Sequence, residues 1–166
     1  MSDLEARIAR LEAESEIRKL KARYLNACDA KDVDQIRGCF TPDAVIDFPP
    51  LGEFDVDGLI GIFTQMAVNT PITDVHHGHN GEIDIDGDTA SARWNLGYVN
   101  YDPREGSFRL LANFYADKYV KTADGWRISY SRAIQRAVVT GKLAEDVKAE
   151  WVPLPGLRHP ITDCRK

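Results

Sequence analysis

Two tight-turn signals in the second half of the chain constrain its fold more than any other feature. From Val75 onward the apolar pattern changes from a helical to an extended period, and residues 75–85 and 89–101 flank Asp86-Gly87-Asp88. Gly beside Asp between two alternating runs marks a hairpin, because the turns that match strand twist need positive φ. Residues 107–121 and 126–138 flank Thr122-Ala-Asp-Gly125 in the same way. Four long strands joined in series build a sheet, and the first 70 residues must supply the layer that covers it.

That layer reads as helical. Leu4, Ile8 and Leu11, then Ile17, Leu20, Tyr24 and Ala27, recur at helical spacing on either side of a polar stretch at residues 14–16. A helix is expected from about residue 3 to 30, its first part projecting and its second part packed on the body. Asp32 is placed to cap a short helix, Val33–Cys39, which stops before Thr41-Pro42 because the residue before proline is pushed out of helical conformation. Ala44–Phe48 reads as a strand ended by Pro49-Pro50, and Asp57 as the cap of a helix from Gly58 to about Val68. A short helix is expected near Lys142–Glu150, followed by an irregular tail from about residue 151. Helices first and antiparallel strands after them predict an α+β fold. Its form is a cone-shaped, curved antiparallel sheet wrapped around the N-terminal helices with an internal pocket.

Length and charge narrow the function classes. The 166 residues suit one domain spanning 1–166, large enough to hold a core without a disulfide or structural metal. A net charge of −5 argues against a nucleic-acid or anionic-membrane surface, which needs clustered Lys and Arg. No run approaches the ~20 apolar residues of a membrane span. Met1-Ser-Asp-Leu-Glu5 lacks the basic start and apolar core of a signal peptide, so a cytoplasmic location is expected. Cys28, Cys39 and Cys164 are an odd set without CxxC spacing, and they read as reduced thiols.

Candidate chemistry centres on Tyr24, Asp29 and His76. A carboxylate that accepts from one imidazole nitrogen sets the tautomer and leaves the other nitrogen as a base. A tyrosine hydroxyl beside the pair would donate to a substrate oxygen. Such a trio suits removal of a proton α to a carbonyl, followed by loss of a β-substituent or by isomerisation. The plain alternatives are a helix-ending Asp29, a core Tyr24 and a strand-end His76 bonded to backbone. Strand parity bears on the choice. Ile83 and Ile85 should face the core, and strict alternation would put His77 and His79 beside them and turn His76 outward. A bulge near Gly78 or Gly81 would restore His76 to the inside. His77 and His79 form an i, i+2 pair with no accompanying acid or Cys cluster, so no metal site is read. Trp94 and Tyr98 share a strand face and are candidate pocket walls, with Asn113 and Phe114 on the next strand; Arg132 and Gln135 on the last strand are candidate contacts for an anionic group or enolate.

The order Tyr24…Asp29, Cys39-Phe-Thr-Pro-Asp43, His76…Asn80 and Ile85-Asp-Gly-Asp-Thr-Ala90 resembles the SnoaL-like family of the nuclear transport factor 2-like, or cystatin-like, fold. Within it the chain resembles the bile-acid 7α-dehydratase group over nearly its whole length. The likeness includes His76-His-Gly-His79, Arg93-Trp94, Phe114-Tyr-Ala-Asp-Lys-Tyr119 and Gly125-Trp126. Hexachlorocyclohexane dehydrochlorinase and scytalone dehydratase are similar in fold. The resemblance implies His76 as base, Asp29 as its orienting partner, Tyr24 as hydrogen-bond donor, no cofactor, and a homodimer or homotrimer. Two positions depart from the dehydratase pattern: Tyr98 stands where it has an Asp, and Gln135 where it has an Arg. The base pair is kept while the substrate-side groups change, which implies the same proton chemistry on a different substrate. The expected activity is a dehydratase-type lyase on a small hydrophobic cyclic molecule such as a steroid, a polyketide or an aromatic-derived compound. An isomerase or cyclase with the same base, or a non-catalytic ligand-binding domain, are the alternatives.

Overall fold

The apolar spacing of the N-terminal third produces one unbroken helix, α1 (Asp3–Asp29), in the computed structural model, which describes residues 3–49 and 51–144. Leu4, Ile8 and Leu11 are solvent-exposed, so the first turns project as expected, and the buried face begins at Ala13 and runs through Ile17, Leu20, Tyr24 and Cys28. The helix closes with the paired bonds of a Schellman ending: Asp32 N–H donates to the Ala27 carbonyl (3.0 Å) and Lys31 N–H to that of Cys28 (3.1 Å). Lys31 takes φ +58°, the left-handed conformation this ending requires.

Asp32 caps α2 (Val33–Arg37) by accepting from the Gln35 amide at 3.0 Å. Strand β1 (Phe40–Phe48) starts earlier than expected and absorbs Pro42, because its register with the neighbouring strand shifts between Phe40 and Val45. A three-residue strand, β2 (Gly52–Phe54), was not expected. Helix α3 (Val56–Phe63) is capped by Asp55, which accepts from Gly58 N–H at 2.7 Å; Asp57, the expected cap, instead lies in the first turn and pairs with Arg37. A π-helical turn, Thr64–Val68, follows.

Strands β3 (Thr73–Asp86), β4 (Thr89–Asp102), β5 (Ser107–Thr122) and β6 (Gly125–Lys142) then form the hairpin series, with Gly87 (φ +58°) and Gly125 (φ +96°) at the two signalled turns. Lys142, where a helix was expected to begin, is the last residue of β6; the rest of that helix and the tail lie outside the described residues. The sheet order is β2-β1-β6-β5-β4-β3. It is mixed rather than wholly antiparallel, because β1 runs parallel to β6. A strand that enters from the helical layer has no hairpin tying its direction to its neighbour's.

Register places three rows across the sheet face that carries His76. They are Asp74–Asn100–Arg109–Thr140, His76–Tyr98–Leu111–Val138 and Gly78–Leu96–Asn113–Gln135. The parity problem is solved by a bulge. His79 pairs with Asn95 and Glu82 with Arg93, so Asn80 and Gly81 together oppose Trp94, and Asn80 adopts φ +53°. The extra residue lets His76 and Gly78 face inward before it and Ile83 and Ile85 pack on the core after it. Close approach favours glycine at both places and demands it at Gly81: a Cβ would stand 2.5 Å from Leu25 Cδ1 at Gly78 and 2.2 Å from the Trp94 ring at Gly81.

Candidate active site

Asp29 is the last residue of α1 and His76 the fourth of β3, and the helix-to-sheet packing brings them together. The Asp29 carboxylate lies 2.6 Å from His76 Nδ1 and also accepts from the His76 backbone amide at 3.1 and 3.2 Å. One carboxylate therefore holds both the strand and the ring. A carboxylate accepts only, so Nδ1 carries a proton, and in the neutral imidazole Nε2 is then the nitrogen with the lone pair. The two side chains keep 13% and 28% exposure, which leaves the pair half-buried and reachable.

A second polar cluster adjoins it on the same wall. Asp74, 5% exposed, accepts from the Tyr98 hydroxyl at 2.5 Å, from Asn100 Nδ2 at 2.7 Å, and from the Lys31 ammonium. The Tyr98 and His76 rings are tilted against each other with centroids 4.6 Å apart. Burial pushes the Tyr98 phenol up to about 12, so it stays protonated and spends its proton on Asp74. Burial lowers the Lys31 ammonium from its ordinary range, and the nearby Asp29 carboxylate opposes that. Lys31, Asp74 and Asn100 were not read as site residues from the sequence. The available signal was parity, since Asp74 shares the strand face of His76.

Tyr24 sits in the core at 3% exposure, edge-on to Phe40 at 5.3 Å, with its hydroxyl against Cys28 and Tyr115. The structure thus joins Asp29 with His76, whereas Tyr24 is buried among Phe40, Tyr115 and Cys28. Next to it is a buried ion pair, also missed in the sequence: Lys21 Nζ lies 2.8 Å from Asp117 Oδ2 and 3.4 Å from the Tyr115 ring centroid. Desolvation lowers the Lys21 ammonium, and Asp117 opposes it. Asp117 also accepts from Tyr119 and Ser131. A lysine four residues after Ile17 on an apolar stripe, with an acid on an inward strand position, was the legible sign.

Other expected contacts lie elsewhere. Trp94 belongs to the core cluster. It is 5% exposed beneath the bulge, with Nε1 donating to the Tyr119 hydroxyl. Phe114 pairs with Asn95 on the outer face, where Arg93 and Arg136 stack over its ring. Arg132 also faces outward and is held at 3.2 Å by Asp47. These two corrections share one cause: Trp94 sets inward parity for β4, and cross-strand pairing carries it to β5 and β6. Asn113 and Gln135 do share the inner face with Tyr98, one row beyond His76, and Asn113 Oδ1 is buried without a partner among the described residues. His77 and His79 face the other side, near Gly97. A groove of about 440 Å³ runs along α1 beside Leu11 and Arg18, away from His76. No helix among the described residues is long and apolar enough to cross a membrane.

Comparison with known proteins adds the following. The family model described as SnoaL-like domain matches residues 9–132. Uncharacterized protein Rv2910c of Mycobacterium tuberculosis H37Rv is 34% identical over 126 residues, covering 73% of this chain and 84% of that protein. The chain is similar in fold to hexachlorocyclohexane dehydrochlorinase LinA-type3 from Novosphingobium barchaimii LL02, with a TM-score of 0.75 and 18% identity, covering 92% of this chain and 99% of that one. It is likewise similar to an NTF2-like protein with a cystatin-like fold from Novosphingobium aromaticivorans (TM-score 0.68, 20% identity, 79% and 86% coverage). The expected finer likeness to bile-acid 7α-dehydratases is not confirmed by these matches.

Proposed function

As the chain belongs to the SnoaL-like domain family, we propose that it is a cofactor-independent lyase of the dehydratase type in which His76, steered by Asp29, removes a carbon-bound proton. The observation that carries this reading is the 2.6 Å contact from Asp29 to His76 Nδ1, made by a carboxylate already fixed to the His76 amide. The ring cannot turn without breaking that contact, so Nε2 is presented in one direction. When Nε2 takes a proton, the Asp29 carboxylate lies against the imidazolium and offsets its charge. Tyr98, Leu111 and Val138 continue the His76 row and offer a largely apolar wall, which suits a small hydrophobic cyclic substrate. Proton transfer and loss of hydroxide as water balance without a redox partner, so the chemistry itself asks for no cofactor.

The test is a screen of hydroxylated ketones and hydroxylated aromatic compounds by mass spectrometry, with loss of water as the readout. His76→Ala should lower turnover by roughly 10²–10⁴-fold, the usual contribution of a general base, with an unchanged circular dichroism spectrum. A product of unchanged mass would assign isomerisation instead of elimination. Turnover that survives His76→Ala would remove this residue from the mechanism.

A further inference from the structure

Three observations outside the His76–Asp29 pair converge on Lys31. The first is its backbone. The ending of α1 requires a left-handed residue at this position, which usually is glycine, and Lys31 holds φ +58° there. A side chain in that conformation is disfavoured by the crowding of its Cβ, and the closing bonds are made by backbone alone. The second is where the head group goes. The Lys31 side chain, 22% exposed, brings its ammonium to the nearly buried Asp74. An ammonium has three N–H bonds, and among the described residues Asp74 is its hydrogen-bond acceptor. The third is the neighbourhood. Asp74 precedes His76 by two residues on the same strand face, and Tyr98 joins the two groups by donating to Asp74 while its ring lies against His76. The turn that supplies the orienting carboxylate, Asp29, supplies this ammonium two residues later.

We propose that Lys31 is the oxyanion-binding residue of the site and that the substrate is a β-hydroxy carbonyl compound whose carbonyl oxygen it receives. The inference rests on the lyase reading and names the substrate class for it. His76 Nε2 takes the proton from the carbon next to the carbonyl. The C–H electron pair becomes the C=C bond of an enolate, and the negative oxygen is met by the Lys31 ammonium. The enolate then reforms the carbonyl and expels the β-hydroxide, which takes the proton from His76 and leaves as water. The products are an α,β-unsaturated carbonyl compound and water, and His76 is restored. Asp74, Asn100 and Tyr98 act as the holder. Their three-way contact fixes where the ammonium stands before the charge develops, which is when preorganisation counts most. Arg109 extends the same row beyond Asn100 and adds a second positive charge at this end.

The probe is 4-nitrophenolate, whose conjugated oxygen carries delocalised charge as an enolate oxygen does, followed by absorbance titration. Lys31→Met alone would strand a buried carboxylate, so the lysine variants are compared in an Asp74→Asn background. Asp74→Asn supplies the reference affinity against which the two lysine variants are read. Lys31→Met/Asp74→Asn should bind the anion about 10–100-fold more weakly, the worth of one charge-assisted hydrogen bond. Lys31→Gly/Asp74→Asn should lose binding equally yet melt no lower than Asp74→Asn, because glycine relieves the left-handed backbone. Equal affinity with and without Lys31, or a wild type that does not bind the anion, overturns the proposal. So does a Lys31→Gly/Asp74→Asn protein that melts lower while binding unchanged, since that is a purely structural lysine. His76→Ala should still bind the probe. Elimination that persists in His76→Ala would therefore sink the lyase reading and leave the anion-binding result standing.

Discussion

Burial, more than direct pairing, sets the behaviour of the titratable side chains around α1. Burial pushes the Cys28 thiol up to about 12 and the Cys39 thiol up to about 11, from an ordinary 9.0. The phenols of Tyr24, Tyr98, Tyr115 and Tyr119 are raised for the same reason. A group whose folded pKa lies above its unfolded value contributes stability that is whole below the unfolded value and is lost as pH rises toward the folded one. Unfolding should therefore become easier from about pH 9 upward, seen as a falling urea midpoint between pH 8 and pH 11. Lys21 and Lys31, lowered by burial, act in the opposite sense up to 10.5. The thiols and phenols outnumber them, and a midpoint that climbs across this range would contradict the balance. Cys28→Ala/Cys39→Ala should flatten its early part. At this scale the sequence was only half legible. The Asp29–His76 pair could be named because a carboxylate and an imidazole have one obvious use for each other. Lys31 and Asp74 could not, because their meeting depends on a left-handed turn at a non-glycine residue, which spacing does not announce.

Strand β3 is the element on which the site depends. Without the extra residue at Asn80-Gly81, either His76 or the Ile83–Ile85 pair would face the wrong side of the sheet. Gly81 makes the bulge possible by letting the strand lie directly on the Trp94 ring, a rigid neighbour held by Tyr119. Gly81→Ala should therefore destabilise the fold by about 1–3 kcal/mol or more. Gly78→Ala meets only the terminal methyl of Leu25, which can rotate away, and should cost less. Chemical denaturation of the two variants ranks them, and equal costs would mean that Trp94 is free to move. The sequence flagged the need for this bulge through a conflict between two parities, and glycine marked the place. It did not reveal β2 or the parallel β1–β6 pairing. A three-residue strand has too short a pattern to read, and direction across a long connection leaves no local trace. The outward turn of Phe114 and Arg132 follows from register, which is a property of strand pairs rather than of any one strand.

Across the whole molecule, helix, bulge and sheet serve one arrangement. The core at the Trp94 end is closed by Ile17, Tyr119 and the buried Lys21–Asp117 pair, while at the His76 end the His76–Asp29 pair stays partly exposed. The packed end gives rigidity and the other end carries the proposed chemistry, and α1 spans both, so the position of Asp29 is set by packing that begins at Ala13. The N-terminal helices and hairpin series were legible because both carry strong periodicity. The central claim is that this scaffold holds one imidazole in one protonation pattern, and it can be read without knowing the substrate. Side-chain ¹⁵N NMR of the neutral ring should show His76 with its proton on Nδ1, strongly hydrogen-bonded, and Nε2 bare, with that signature lost in Asp29→Asn. A His76 ring protonated on Nε2, or one averaging between tautomers in the wild type as it would in water, would contradict the account.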